Sequence, residues 1–157
     1  MRILGIDPGL ERVGFGVIDR EGSRLKPIAH GLIETPRIAL PDRLRLIHEG
    51  VTALIAEHKP DQLATERLLF SVNKKTAMDV AKGLGVVLLA GAQAGLPWME
   101  MTPPEIKLAV VGNGAAEKKQ VQFMVVRLLN LTETPKPDDV ADALAIAIAA
   151  ALRARIN

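Results

Sequence analysis

The stretch RILGIDPGLERVGFGVIDR, residues 2–20, constrains the fold more than any other part of the chain. Arg2–Ile6 reads as a short, mostly apolar strand that ends at Asp7. Pro8-Gly9 then forces a turn, because proline pre-sets φ and glycine tolerates φ > 0. Val13–Asp19 returns as a second strand. Val13, Phe15 and Val17 alternate with Gly14, Gly16 and Ile18, so this strand has one bulky and one slim face. The two runs are too close for a crossover helix, so they must pair antiparallel. This places an acid at the open end of a buried strand with small residues opposite, where a charged ligand could approach the backbone. Two readings of Asp7 stand at this point: the first residue of a D-P-G turn, or a functional acid.

The remaining chain alternates helix and strand. Gly22-Ser23 turns the second strand into a third, Arg24–Glu34. Leu40–Lys59 is helical by spacing, with Leu40, Leu44, Ile47, Val51, Leu54 and Ile55 on one face, and Pro60 stops it. Asp61–Thr65 is a short strand that delivers Glu66. Arg67–Val72 is a loop, and Asn73 opens a helix to about Gly95. Pro97–Met101 is a strand. Thr102-Pro-Pro-Glu105 is a capping box with proline at the first helical position, starting a helix that ends near Gly112. Ala116–Leu131 and Asp138–Arg155 are helices separated by the loop Thr132–Pro137. Three strands followed by two helical crossovers predict an α/β fold. Its five-stranded mixed sheet joins an antiparallel meander to parallel strands, with helices on both faces. Glu66 then lies beside Asp7 if their strands are neighbours, at the carboxyl ends where ligands gather. The 157 residues fit one domain, 1–157.

Composition excludes several chemistries. Cysteine and tyrosine are absent, and serine occurs only at Ser23 and Ser71, so thiolate zinc sites and phosphotyrosyl intermediates are out and a serine nucleophile is disfavoured. There is no GxxxxGK[ST] loop. The longest apolar stretch, Gly83–Ala92, is too short to span a bilayer, and no signal peptide is visible, so a cytoplasmic, membrane-free protein is expected. A net charge of +2 and a pI of about 9.1 lean slightly toward a polyanionic partner.

Acids recur at the last helix. Asp138, Asp139 and Asp142 lie in its first turn or so; Asp139 and Asp142, or Asp138 and Asp142, can share a face. Acids favour helix N-termini in any case. Here, however, an almost wholly apolar run, ALAIAIAAAL, follows Asp142, so this helix has little solvent-facing surface and its carboxylates need a partner. Carboxylates crowded with Asp7 and Glu66 repel one another unless a cation neutralises them. Mg²⁺ or Mn²⁺ suits such oxygen ligands, and two ions about 3.5–4 Å apart can clamp a phosphoryl displacement.

These stretches together resemble the RuvC family of Holliday-junction resolvases, in the ribonuclease H-like fold. RILGIDPGLERVGFGVI is similar to the family's first acidic motif and TERLLFSVNKKTAMDVAKGLG to its second. VVGNGAAEKKQV resembles a basic third motif and PDDVADALAIAI the terminal acidic one. The resemblance implies that Asp7, Glu66, Asp139 and Asp142 are the catalytic, metal-binding acids, with spacing favouring Asp139 over Asp138. It implies that Lys107 and Lys118 lie near the scissile phosphate. It further implies a homodimer that nicks opposing strands of a four-way DNA junction in recombination and repair, alongside the RuvA–RuvB branch-migration complex. The family's aromatic after the motif-two glutamate falls at Leu69 here, with Phe70 next. A catalytically inactive binder of branched DNA is the alternative, and four positioned acids argue against it, since carboxylates repel phosphates without metal. An actin-like ATPase, suggested by the IDPG turn, would need two large domains.

Further DNA-contacting candidates are Arg67, Lys74 and Lys75 around Phe70, which either stacks on a base or anchors its loop. Lys118 and Lys119 at a helix N-terminus oppose the helix dipole, which suggests an anionic partner. GLGVVLLAGA, residues 83–92, has no polar side chain on any face and should be buried all round. Gly83, Ala90 and Gly91 would let a second copy approach, with Val87 or Leu88 at the interface; cover by the C-terminal helix is the other possibility.

Overall fold

The computed structural model describes residues 1–69 and 74–154, with Lys74 and Lys75 described in backbone only. Strands β1 (Arg2–Asp7), β2 (Arg12–Glu21) and β3 (Arg24–Glu34) form the meander, and α1 (Leu40–His58) leads to β4 (Gln62–Glu66). Helix α2 (Lys74–Gln93), strand β5 (Trp98–Met101) and helices α3 (Pro103–Val111), α4 (Lys118–Leu129) and α5 (Asp138–Arg153) follow. The sheet order is β3-β2-β1-β4-β5. β1 and β2 run antiparallel with Asp7 opposite Gly14. β4 lies parallel to β1 with Thr65 beside Ile6, so Asp7 and Glu66 are the next residues along two neighbouring strands. β5 is parallel to β4.

Strand alternation sorts the core into two layers. Leu4, Ile6, Val13 and Val17 face α1 and α2, packing with Ile47, Val51, Val87 and Ala90. Ile3 and Ile18 face the other way, toward α5 and the outer helices α3 and α4. Between Val140 and Ala151 every α5 residue is buried except Asp142. A helix covered on all sides reads as continuously apolar, which accounts for ALAIAIAAAL.

The slim face of β2 serves a different purpose from ligand approach. A methyl added at Gly14 would run into the carbonyl of Asp139, and one at Gly5 into that of Ala143. At Gly16 it would come within 2.7 Å of Leu144 Cδ2. These glycines let α5 lie flush on the sheet, so the space beside Asp7 is filled by helix backbone.

The capping box expected at the start of α3 is present. At α3 the Thr102 hydroxyl accepts from the Glu105 N–H, the Glu105 carboxylate accepts from the Thr102 N–H at 2.8 Å, and Gly112 ends the helix with φ 83°. α4 begins at Lys118 rather than Ala116: Ala116 is buried in the core, and the Glu117 N–H donates to Gln120 Oε1 at 2.8 Å.

The expected surface of α2 is corrected. Val87 is fully buried, and a methyl on Gly83 would sit 2.6 Å from the Gly9 carbonyl. Ala90 is in the core and Gly91 abuts Leu63, while Leu88 packs at the core's margin. These residues seat α2 on its own subunit. Among the described residues its large exposed apolar side chains are Met78 and Leu89. Helix α5 does not cover them, since it lies on the opposite face of the sheet.

Candidate active site

Period-two alternation puts Asp7 on the same face of β1 as Ile3 and Gly5, and Glu66 on the same face of β4 as Ala64; this is the face that α5 covers. α5 starts after Pro137, so Asp138, Asp139 and Asp142 occupy its first turns. The strand ends and the helix start thus converge. A cavity of about 260 Å³ opens there, lined by Glu66, Asp142, Lys107 and Lys118 over Ile106, Val121 and Ala145. Asp139 opens instead onto a neighbouring cleft with Arg12 and Arg43.

The acids are electrostatically one group. Burial pushes the Asp7 carboxyl up to about 8, and the charges of Asp142, Glu66 and Asp139 push the same way. Glu66 is raised by burial and by Asp142, against the opposing pull of Lys107 and Lys118. Asp142 is also raised, chiefly by burial, even though Lys118 Nζ sits 3.3 Å from its Oδ2. The same Lys118 lies 3.0 Å from Asp138 Oδ2, and these two carboxylates hold its pKa up although burial pulls it down. Thus the ion pair strengthens Lys118 as a cation without offsetting the burial of Asp142.

Asp138 and Asp139 differ in surroundings. Asp138 is exposed, shared between Lys118 and the Gln122 amide at 3.2 Å, and its pKa is lowered by Lys118. Asp139 is half-buried, acts on Asp7, and pairs with Arg12 Nε at 3.5 Å. Arg12 carried no signal in the sequence, because the ion pair joins opposite ends of the chain.

The other candidates scatter. Arg67 is tied to Glu100 on β5 at 2.8 Å. Lys119 is exposed, and Lys74 and Lys75 open α2. Leu69 is 56% exposed, whereas Phe70, like Asn73, lies outside the described residues.

A hard divalent cation fits this donor set. Every candidate ligand is a carboxylate, and Asp7 is a half-buried acid on which, among the described residues, the cation Lys118 acts more weakly than the neighbouring acids do. Among the described residues no three acids already converge as a closed metal cluster, and Lys118 and Arg12 hold Asp142 and Asp139. Side-chain rearrangement would therefore accompany binding.

Comparison with known proteins agrees with this geometry. Residues 3–150 match the family described as crossover junction endodeoxyribonuclease RuvC. The chain is 52% identical to that enzyme of Brevibacillus brevis over 94% of its own length and 90% of the relative. It is 50% identical to that of Halothermothrix orenii, covering 100% and 96%. Thermus thermophilus RuvC superposes with a TM-score of 0.90 at 35% identity, covering 97% of this chain and 94% of that one. The same protein in complex with a Holliday junction substrate gives 0.90 at 34% identity, covering 95% and 92%. The yeast mitochondrial resolvase Ydc2, at 13% identity and a TM-score of 0.66, shares the fold. With its sheet topology, its gathered carboxylates and these matches taken together, the chain belongs to the RuvC family of crossover junction endodeoxyribonucleases.

Proposed function

We propose that this protein resolves four-way DNA junctions by metal-dependent hydrolysis of one phosphodiester in each of two opposing strands. The observation that carries the reading is the electrostatic coupling of Asp7, Glu66 and Asp142, three half-buried carboxylates with raised pKa values, the latter two lining one cavity with Lys107 and Lys118. Solvated surface acids would not be displaced in this way. Asp7, Glu66, Asp139 and Asp142 would hold Mg²⁺ or Mn²⁺, two ions per site, and the bound cations supply Lewis-acid stabilisation of charge on the scissile phosphate. Lys107 and Lys118 would then face the phosphate and stabilise the negative charge that develops there.

Symmetric cleavage needs two sites, so the active species is a homodimer. The stripe on α2 carrying Met78 and Leu89, 60% and 49% exposed, supports a two-fold contact. Cooperation with RuvA–RuvB and a cytoplasmic setting rest on family membership; among the described residues no helix is long and apolar enough to cross a membrane.

The test is a labelled four-way junction incubated with and without Mg²⁺ or Mn²⁺. Wild type should give paired symmetric nicks only with metal. Asp7→Asn should bind the junction yet cleave at least about a hundredfold more slowly. Near-wild-type cleavage by the variant would remove Asp7 from the site, and metal-independent binding with no cleavage by wild type would identify a junction-binding protein instead.

A further inference from the structure

Among the described residues Thr35 and Thr65 are the buried polar ones, and Thr35 is 5% exposed. Thr65 accepts a hydrogen bond from Trp98 Nε1 and stands next to Glu66 in β4. Thr35 lies between β3 and α1, well outside the acid cluster, yet both hydrogen bonds that it donates fall on one short loop. That loop, residues 8–11, joins Asp7 to Arg12.

Three hydrogen bonds define the arrangement. The Thr35 N–H donates to the Glu11 carbonyl at 3.0 Å, extending the β2–β3 ladder one step past Arg12 and Glu34. The Thr35 hydroxyl donates to the Leu10 carbonyl at 2.6 Å. The same hydroxyl accepts from Arg43 Nε at 2.9 Å, so its donor and acceptor roles are both used and its rotation is fixed. On the other side, Gly83 of α2 abuts the Gly9 carbonyl so closely that no side chain fits between them. The loop is therefore gripped at three successive residues, Gly9, Leu10 and Glu11. Its two ends are Asp7, the most perturbed acid of the site, and Arg12, whose guanidinium reaches Asp139 at 3.5 Å. Arg12 and Arg43 share one cleft of about 330 Å³ with Asp139 on its wall.

We propose that Thr35 is a positioning residue for the cleavage reaction: braced by Arg43, it fixes the Leu10–Glu11 peptide so that Arg12 reaches across to Asp139 and sets that carboxylate's place beside Asp7. A structural threonine would be content with one backbone partner. Here the hydroxyl is spent on the loop, and the half-buried Arg43 is committed to the hydroxyl rather than to an acid. Loss of the hydroxyl frees the Leu10 carbonyl and the Arg43 guanidinium together, and the loop is then held by Gly83 and one backbone bond. The Arg12–Asp139 contact, already long at 3.5 Å, is what such slack would break first.

The inference rests on the function proposed above, and the assay separates the two. Thr35→Val keeps the shape and deletes the hydroxyl; Thr35→Ser keeps the hydroxyl. Each is made in the wild-type and in the Arg12→Ala background. Junction affinity without metal, single-turnover cleavage with Mg²⁺, and thermal unfolding are measured for all. In the wild-type background Thr35→Val should lower the cleavage rate roughly tenfold or more with junction affinity unchanged, since misplacement costs rate rather than binding. Thr35→Ser should restore at least half the wild-type rate. In the Arg12→Ala background Thr35→Val should change the rate by less than about threefold, because the contact it acts through is already gone. If Thr35→Val does not fold, Arg43→Ala takes its place with the same expected dependence on Arg12. Equal losses in both backgrounds, serine no better than valine, or no loss at all overturns the assignment. Absence of cleavage by wild type would instead overturn the functional reading.

Discussion

At the scale of single residues the site is a contest between burial and charge, and Asp7 decides the pH behaviour. Its carboxyl is raised to about 8, so the folded protein binds that proton more tightly than the unfolded chain does. Without metal, the contribution of Asp7 to stability is therefore best at low pH and is lost as pH rises from about 4, the ordinary aspartate value, through about 8. Asp7→Asn removes this dependence. In EDTA the variant should be more stable than wild type at pH 8, by on the order of 1–3 kcal/mol, and the gap should close toward pH 4. Adding Mg²⁺ at pH 8 should raise the melting temperature of wild type more than that of the variant. Parallel melting curves across pH 4–9 would mean that Asp7 titrates as an ordinary surface acid. Lys118, shared between Asp138 and Asp142, makes a second measurement useful. If it contacts phosphate, Lys118→Ala should reduce the slope of log affinity against log salt by about 0.9. A slope and a cleavage rate that both stay put would make it a bystander.

At the scale of elements, the seating of α5 on β1 and β2 governs where the terminal acids stand. Gly14 and Gly16 test it differently. The obstacle at Gly14 is the backbone of Asp139, which cannot swing aside, whereas at Gly16 the nearest atoms belong to the Leu144 side chain. Gly14→Ala should therefore destabilise by roughly 1–3 kcal/mol in urea titrations and by more than Gly16→Ala, and it should also depress cleavage by moving Asp139. Equal costs would show that α5 slides freely on the sheet. These glycines also mark how far the sequence could be read. Alternation in Val13–Ile18, the short D-P-G connection and the crossovers made the sheet and the neighbourhood of Asp7 and Glu66 legible. A slim face does not say what fills it, however, and a helix backbone and a ligand leave the same pattern of glycines. GLGVVLLAGA, similarly, is apolar on every side, so it has no phase from which to tell the buried Val87 from the exposed Leu89. Arg12–Asp139 and the Thr35 bonds join residues whose spacing follows no helix or strand period, and only the folded chain brings them together.

At the scale of the whole molecule, the exposed stripe on α2 predicts the assembly. Leu89→Asp and Met78→Asp change side chains that do not support the core, so both variants should keep the circular dichroism and melting behaviour of wild type. At least one should sediment as a monomer at micromolar concentrations where the parent is dimeric. A parent that is itself monomeric there, or two variants that remain dimeric, would place the contact elsewhere. The buried shaft of α5 has a consequence for how the enzyme fails. Its amides from 143 to 151 are enclosed by sheet and helices and can meet deuterium only when the whole domain opens. The carboxylates of Asp139 and Asp142 are carried on the end of that shaft, so heat should not disarm the site while leaving the body of the protein intact. Activity and slow-exchanging amides would vanish together, in one cooperative step.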